Sequence, residues 1–151
     1  MQLERGIELL TKLKLNFQKL LEIAETKHSS LFLQTPVQLQ ELVIREEKVL
    51  FSIQTLEKER FSFMKNLGVY HEQGKNNNHL NDFAELLLTV ADSDQAARIL
   101  ELSGEITGMA KRIMSLNQRN IFLINQMRSI NAEFVKAIFG EKKTILLDRK
   151  A

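Results

Sequence analysis

Residues 93–139 read SDQAARILELSGEITGMAKRIMSLNQRNIFLINQMRSINAEFVKAIF, and this stretch decides the fold. Ile99, Leu102, Ile106, Met109, Ile113, Leu116, Asn120, Leu123, Met127, Ile130, Phe134 and Ala137 follow one another at alternating steps of three and four, without a slip. A seven-residue repeat kept that long argues for a helix whose apolar seam lies along a left-handed coiled-coil contact. Only Asn120 interrupts the seam with a polar group. Such a residue fixes register and strand number at some loss of stability, and the other use open to it is direct contact with a partner. Asp92 with Gln95 three positions on offers a capping box, so the helix is read as Ser93 to Phe139, about 70 Å at 1.5 Å per residue.

Upstream, a short helix is expected over Leu80 to Val90. It follows the polar loop Glu72-Gln73-Gly74-Lys75-Asn76-Asn77-Asn78, the one clear linker. Before that loop, Thr35 is a good N-cap, Pro36 suits the first helical position and Gln38 sits three after the cap. A helix is predicted from Pro36 to about Leu67, with Gly68 as its left-handed C-cap. Its seam is Leu39, Leu42, Val49, Ile53, Leu56, Phe63 and Leu67, with Glu46 and Arg60 at the polar gaps. The first helix is predicted from about Leu3 to Phe32. Its stripe is Leu3, Ile7, Leu10, Phe17, Leu21, Ala24 and Leu31, interrupted by Lys14 and His28 and widened by Leu9, Leu13, Leu20 and Ile23. So broad a face suits a bundle.

The expected class is all-α: an antiparallel long-helix bundle or coiled coil with three long helices and one short helix. Residues 1–139 would form the bundle and 140–151 a flexible tail. One proline, no tryptophan and 44% hydrophobic residues fit a helical domain with a core. No cysteine is present, which excludes disulfides and thiolate metal sites and fits a reducing compartment. The opening MQLERGIELLTKLK does not read as a targeting peptide, and no apolar run reaches the ~20 residues that span a bilayer. Stable membrane insertion is therefore not expected. A net charge of +2 with both signs interspersed argues against a nucleic-acid partner.

No catalytic pattern emerges. Glu25 and His28 make one Glu-x-x-His pair, but a di-iron bundle needs a second, and none exists here. His71 and His79 flank the polar loop, and neither a P-loop nor a nucleophile elbow is present. The expectation is a protein without enzyme activity, cofactor or metal.

The helix lengths carry more information. The short turn makes the first two helices an antiparallel hairpin. The last helix, about 20 Å longer than the second, should project at its C-terminal end beyond the Thr35-Pro36 turn. From Ile121 onward apolar residues also appear off the seam: Ile121, Phe122, Ile124, Val135, Ile138 and Phe139. A helix apolar on more than one face must be covered by something. After Gly140, Thr144-Ile145-Leu146-Leu147 forms an apolar cluster in a charged tail, a candidate docking segment.

Two segments carry a family likeness. LQELVIREEKVLFSIQTLEKERFSFMKNLGV (39–69) resembles the second helix of FlgN-like flagellar export chaperones, with paired acids at Glu46-Glu47, Glu-Arg at Glu59-Arg60 and Leu-Gly at Leu67-Gly68. SLNQRNIFLINQMRSINAEF (115–134) resembles the family's late helix, marked by Leu-Asn-x-x-Asn at Leu116, Asn117 and Asn120. Helix order and lengths extend the likeness over nearly the whole chain. The resemblance implies a type III export chaperone in the bacterial cytoplasm. It would bind hook–filament junction proteins, keep them unassembled and deliver them to a flagellar export gate component. The client-binding residues expected on this basis are Phe122, Met127, Ile130, Phe134, Val135, Ile138 and Phe139, with Ile145, Leu146 and Leu147 in the tail. Weak homodimerisation is compatible with that role. The alternative is a structural coiled-coil subunit that self-associates through the last helix.

Overall fold

The computed structural model describes residues 2–30, 35–67 and 80–139, apart from the side chains of residues 30, 123, 124, 127, 128, 130, 131, 133–135, 138 and 139. The chain is an all-α bundle of three long helices and one short one: α1 Gln2–Ser30, α2 Pro36–Asn66, α3 Leu80–Leu88 and α4 Ser93–Phe139. No strand occurs among the described residues. Both expected capping boxes are formed. Thr35 is extended; its hydroxyl accepts from the Gln38 N–H, and the Gln38 side chain accepts from the Thr35 N–H. Asp92 and Gln95 repeat the exchange ahead of α4, at 2.8 and 3.0 Å. Each box satisfies two of the N–H groups that a helix start leaves without partners.

The C-terminal ends differ slightly from expectation. α3 stops at Leu88, because the Thr89 and Val90 N–H groups fold back to the carbonyls of Leu86 and Leu87 in a tighter turn. α1 ends at Ser30, and the rest of its expected span lies outside the described residues, as do Gly68 and the tail 140–151. α2 finishes at Asn66, capped by Leu67, whose N–H reaches the carbonyls of Phe63 and Met64.

α1 is the central helix, packed against both α2 and α4, while α3 packs on α4. Two polar contacts set how α1 and α4 run. Lys14 Nζ lies 2.8 Å from Glu105 Oε2, and His28 Nδ1 lies 3.2 Å from Asn120 Oδ1. The paired positions differ by 91 and 92, so the two helices run parallel in constant register over about four turns. Their starts are therefore level. α2 runs the other way, tied to α1 by Lys27 and Glu46 at 2.7 Å.

The core tapers along this axis. At the end where α1 and α4 begin, four helices contribute: Leu9, Leu10 and Leu13; Leu56, Phe63 and Met64; Phe83, Ala84 and Leu87; Ile99, Leu102 and Ile106. Phe83, in the short helix, is fully buried, meets the Phe63 ring edge-on at 5.6 Å and lies under the Arg60 guanidinium. Further along, three helices remain, with Leu20, Ile23 and Ala24 buried on α1, Leu42 on α2, and Ile113 and Leu116 on α4. The second row of α1 is buried throughout, at Leu9, Leu13, Leu20 and Ile23, whereas the stripe that the spacing singled out is buried at Leu10 and Ala24 and half-buried at Leu3, Ile7, Phe17 and Leu21. α1 has neighbours on two sides, so the direction between its two rows points into the core.

Candidate partner-binding site

The site is built by what stops and what continues. At the level of His28 and Asn120, α1 has two further described residues. α2, whose Glu46 stands at the same level, continues ten residues back to Pro36, roughly 15 Å. α4 continues 19 residues to Phe139, roughly 28 Å. It therefore outruns both members of the hairpin, and it does so at its C-terminal end. The overhang beyond α2 is nearer 15 Å than the 20 Å expected from lengths alone. The Lys27–Glu46 pairing sets α2 along the axis, away from the level start of α1 and α4.

Asn120 is 5% exposed and closes the buried seam of α4. Its Oδ1 faces His28, while its buried Nδ2 has no hydrogen-bond partner among the described residues. Its contact with His28 lies within one chain, between α4 and α1. The seam before it behaves as read: Ile99, Leu102, Ile106, Ile113 and Leu116 are buried and Met109 is half-buried. Immediately after it the surface changes. Ile121 and Phe122 are each 60% exposed, and no described side chain beyond Asn120 is buried.

Of the expected client-binding residues, Phe122 is therefore solvent-facing on α4. Met127, Ile130, Phe134, Val135, Ile138 and Phe139 belong to the helical backbone of the projecting part, their side chains outside the description. Ile145, Leu146 and Leu147 lie outside the described residues altogether.

Sequence reasoning missed a second exposed apolar surface. Val37, Val43, Ile44, Leu50 and Phe51 are all exposed on the first half of α2. The signal was present in the seven-residue spacing of Val37, Ile44 and Phe51, off the seam that drew attention. Leu100 and Met114 are also exposed, so apolar exposure on α4 is not confined to its projecting end.

Little else in the described residues suggests chemistry. A shallow cleft of about 450 Å³ lies between the start of α1 and the end of α2. Its charged side chains, Arg5, Lys58 and Glu59, are exposed. Among the described residues no cluster of His, Asp or Glu is placed to hold a metal ion. No described helix is long and apolar enough to cross a membrane.

Fold and surface together define a helical-bundle protein whose last helix continues past its supporting hairpin with apolar groups in the open. Residues 1–147 match the family model of the FlgN protein, and the chain belongs to that family, one of flagellar export chaperones. Neither a curated protein nor a solved structure gives a match to the chain.

Proposed function

We propose that this chain holds hook–filament junction proteins in the bacterial cytoplasm, keeps them from assembling early and delivers them to the flagellar export gate. The projecting part of α4 and the tail grip the client, through Phe122, Met127, Ile130, Phe134, Val135, Ile138, Phe139 and the cluster Ile145 to Leu147. One observation supports this reading most. α4 runs on for 19 residues past the Asn120–His28 contact, and its first two side chains there, Ile121 and Phe122, are open to water. A client helix laid along that face would bury them. Residues 1–139 serve as the scaffold and 140–151 as a tail that is ordered on the client, and that ordering lowers affinity enough to permit release.

The runner-up, self-association through α4, has an obstacle. Its seam from Ile99 to Asn120 is already covered by α1 and α3, so a second copy using that stretch would have to displace them. Co-purification with a junction-protein client, full chain beside a version ending at Ile124, separates the two. A defined complex for the full chain only supports the assigned site. Client binding that survives the truncation removes the site, and a tight homo-oligomer that ignores the client removes the chaperone role.

A further inference from the structure

α2 carries apolar side chains on two opposite sides. One side, with Leu42, Leu56 and Arg60, is buried. On the other, Val37, Ile44 and Phe51 are 64%, 44% and 71% exposed. Steps of seven place these three within about 40° of one another, roughly 160° from Leu42 and Arg60. Val43 and Leu50, 41% and 42% exposed, lie roughly 110° round the helix on one side, beyond the exposed Gln40 and Glu47. Glu41 and Lys48, both exposed, flank the row on the other side. A row at seven-residue spacing matches a helix lying alongside rather than a pocket.

We propose that this face pairs with the same face of a second copy of the chain, with the two α2 helices antiparallel. The pattern is self-complementary about a two-fold axis near Arg45. That operation sets Val43 across from the partner's Leu50 on the apolar edge. It sets Glu41 across from the partner's Lys48 on the charged edge, and each contact occurs twice, as an isologous interface requires. Val37 then stands at the level of the partner's Phe51. A parallel pairing, with its two-fold axis along the helices, instead sets each edge against the opposite edge of the partner, so the Glu41–Lys48 and Val43–Leu50 contacts are both lost. Keeping both contacts is what favours a second copy set antiparallel. The contact lies away from the buried seam of α4, so it is distinct from self-association through that helix and does not depend on the client-binding reading.

The test is the mass of the full chain by sedimentation from low micromolar to near-millimolar concentration, with circular dichroism as the control for folding. A reversible dimer is expected. Ile44→Glu, on an already exposed position, should weaken it at least about tenfold while leaving helicity unchanged. Glu41→Lys and Lys48→Glu should each weaken it roughly fivefold, and the double exchange should restore it. The version ending at Ile124 should still dimerise. A chain monomeric throughout, or a dimer indifferent to Ile44→Glu, overturns the proposal. So does a double exchange no better than the singles. A monomer in which Ile44→Glu lowers affinity for a junction-protein client also overturns it, and gives the face to the client.

Discussion

The two halves of α2 are built from similar residues and meet different fates. From Leu56 onward the helix buries Leu56, Arg60, Phe63 and Met64. From Pro36 to Phe51 it buries Leu42 alone and exposes five large apolar side chains. The difference lies in the company each half keeps. Phe83 of α3 meets Phe63 and Arg60 in the second half, where four helices share one core. The first half has α1 as its principal neighbour. Hydrophobicity along a helix therefore does not by itself say which stretch is core. The number of elements arriving at that level decides, and surplus apolar surface collects where the bundle thins.

The largest expected effect tests the crowded end. Phe83→Ala removes a fully buried ring, its edge-on contact with Phe63 and its place under Arg60. A loss of about 3–5 kcal/mol is expected, and a melting temperature lower by roughly 6–20 °C. Phe51→Ala, the same chemistry on a 71% exposed ring, should stay within about 0.5 kcal/mol in dilute solution. Thermal melts of the pair measure the contrast directly. Equal effects would mean that the two halves are buried alike.

Next comes the ion pair at the thinner end. Lys27 and Glu46, at 2.7 Å, are each about one-fifth exposed. Lys27→Ala leaves a mostly buried carboxylate without its partner and should cost about 2 kcal/mol. Glu8 and Lys12, an exposed pair on α1, should cost well under 1 kcal/mol when either is removed. Urea titration of Lys27→Ala beside Lys12→Ala gives both numbers. A Lys27→Ala loss no larger than that of Lys12→Ala would show that the pair does not hold α2 to α1.

Much of the frame was legible before any coordinates, for local reasons. The seam of α4 follows from its spacing alone, and both capping boxes follow from two residue types three apart. The polar interruptions were legible only as interruptions. Lys14, His28 and Glu46 find Glu105, Asn120 and Lys27 because of how the helices are offset. That offset is a tertiary quantity with no trace in any one helix. α3 was underread because nine residues hold too few turns to declare a buried face, although Phe83 and Leu87 are among its most enclosed side chains. At the candidate site, the exposure of Ile121 and Phe122 was legible from their positions off the seam. The outward row of α2 obeyed the same logic and was passed over, because the inner seam already accounted for that helix.

A smaller effect tests how closely α3 clamps the crowded end. A Cβ added at Gly6 would meet the buried side chain of Leu87, 2.5 Å from its Cδ2, whereas one at Gly104 would meet nothing within 4 Å. Gly6→Ala gains about 1 kcal/mol of helix propensity but overpacks the seat by about 1–3, for a net loss near 1 kcal/mol. Gly104→Ala keeps the propensity gain and should stabilise by up to about 1 kcal/mol. Opposite signs in the two melts are the expected outcome. A stabilised Gly6→Ala would show that Leu87 has room to retreat.

The smallest effect concerns the boundary where the bundle gives way to the projecting helix. Asn120 keeps a contact to His28 through Oδ1 and leaves Nδ2 buried without a partner among the described residues. Asn120→Leu removes that orphaned donor, a relief of about 1–3 kcal/mol, and gives up one hydrogen bond worth about 0.5–1.5. The half-buried His28 can turn its freed nitrogen to water. The net should be a gain of about 0.5 kcal/mol or slightly more, visible as a melting temperature higher by roughly 1–2 °C. Stability is not what the asparagine supplies. An apolar seam continued through position 120 no longer marks one level at which α1 and α4 must match, so slipped pairings by a turn become competitive. Amide exchange along α1 separates the two roles. Faster exchange near His28 in a variant that melts higher is the signature of lost register. Uniform protection with the higher melting temperature would mean that the apolar packing on either side sets the register without it.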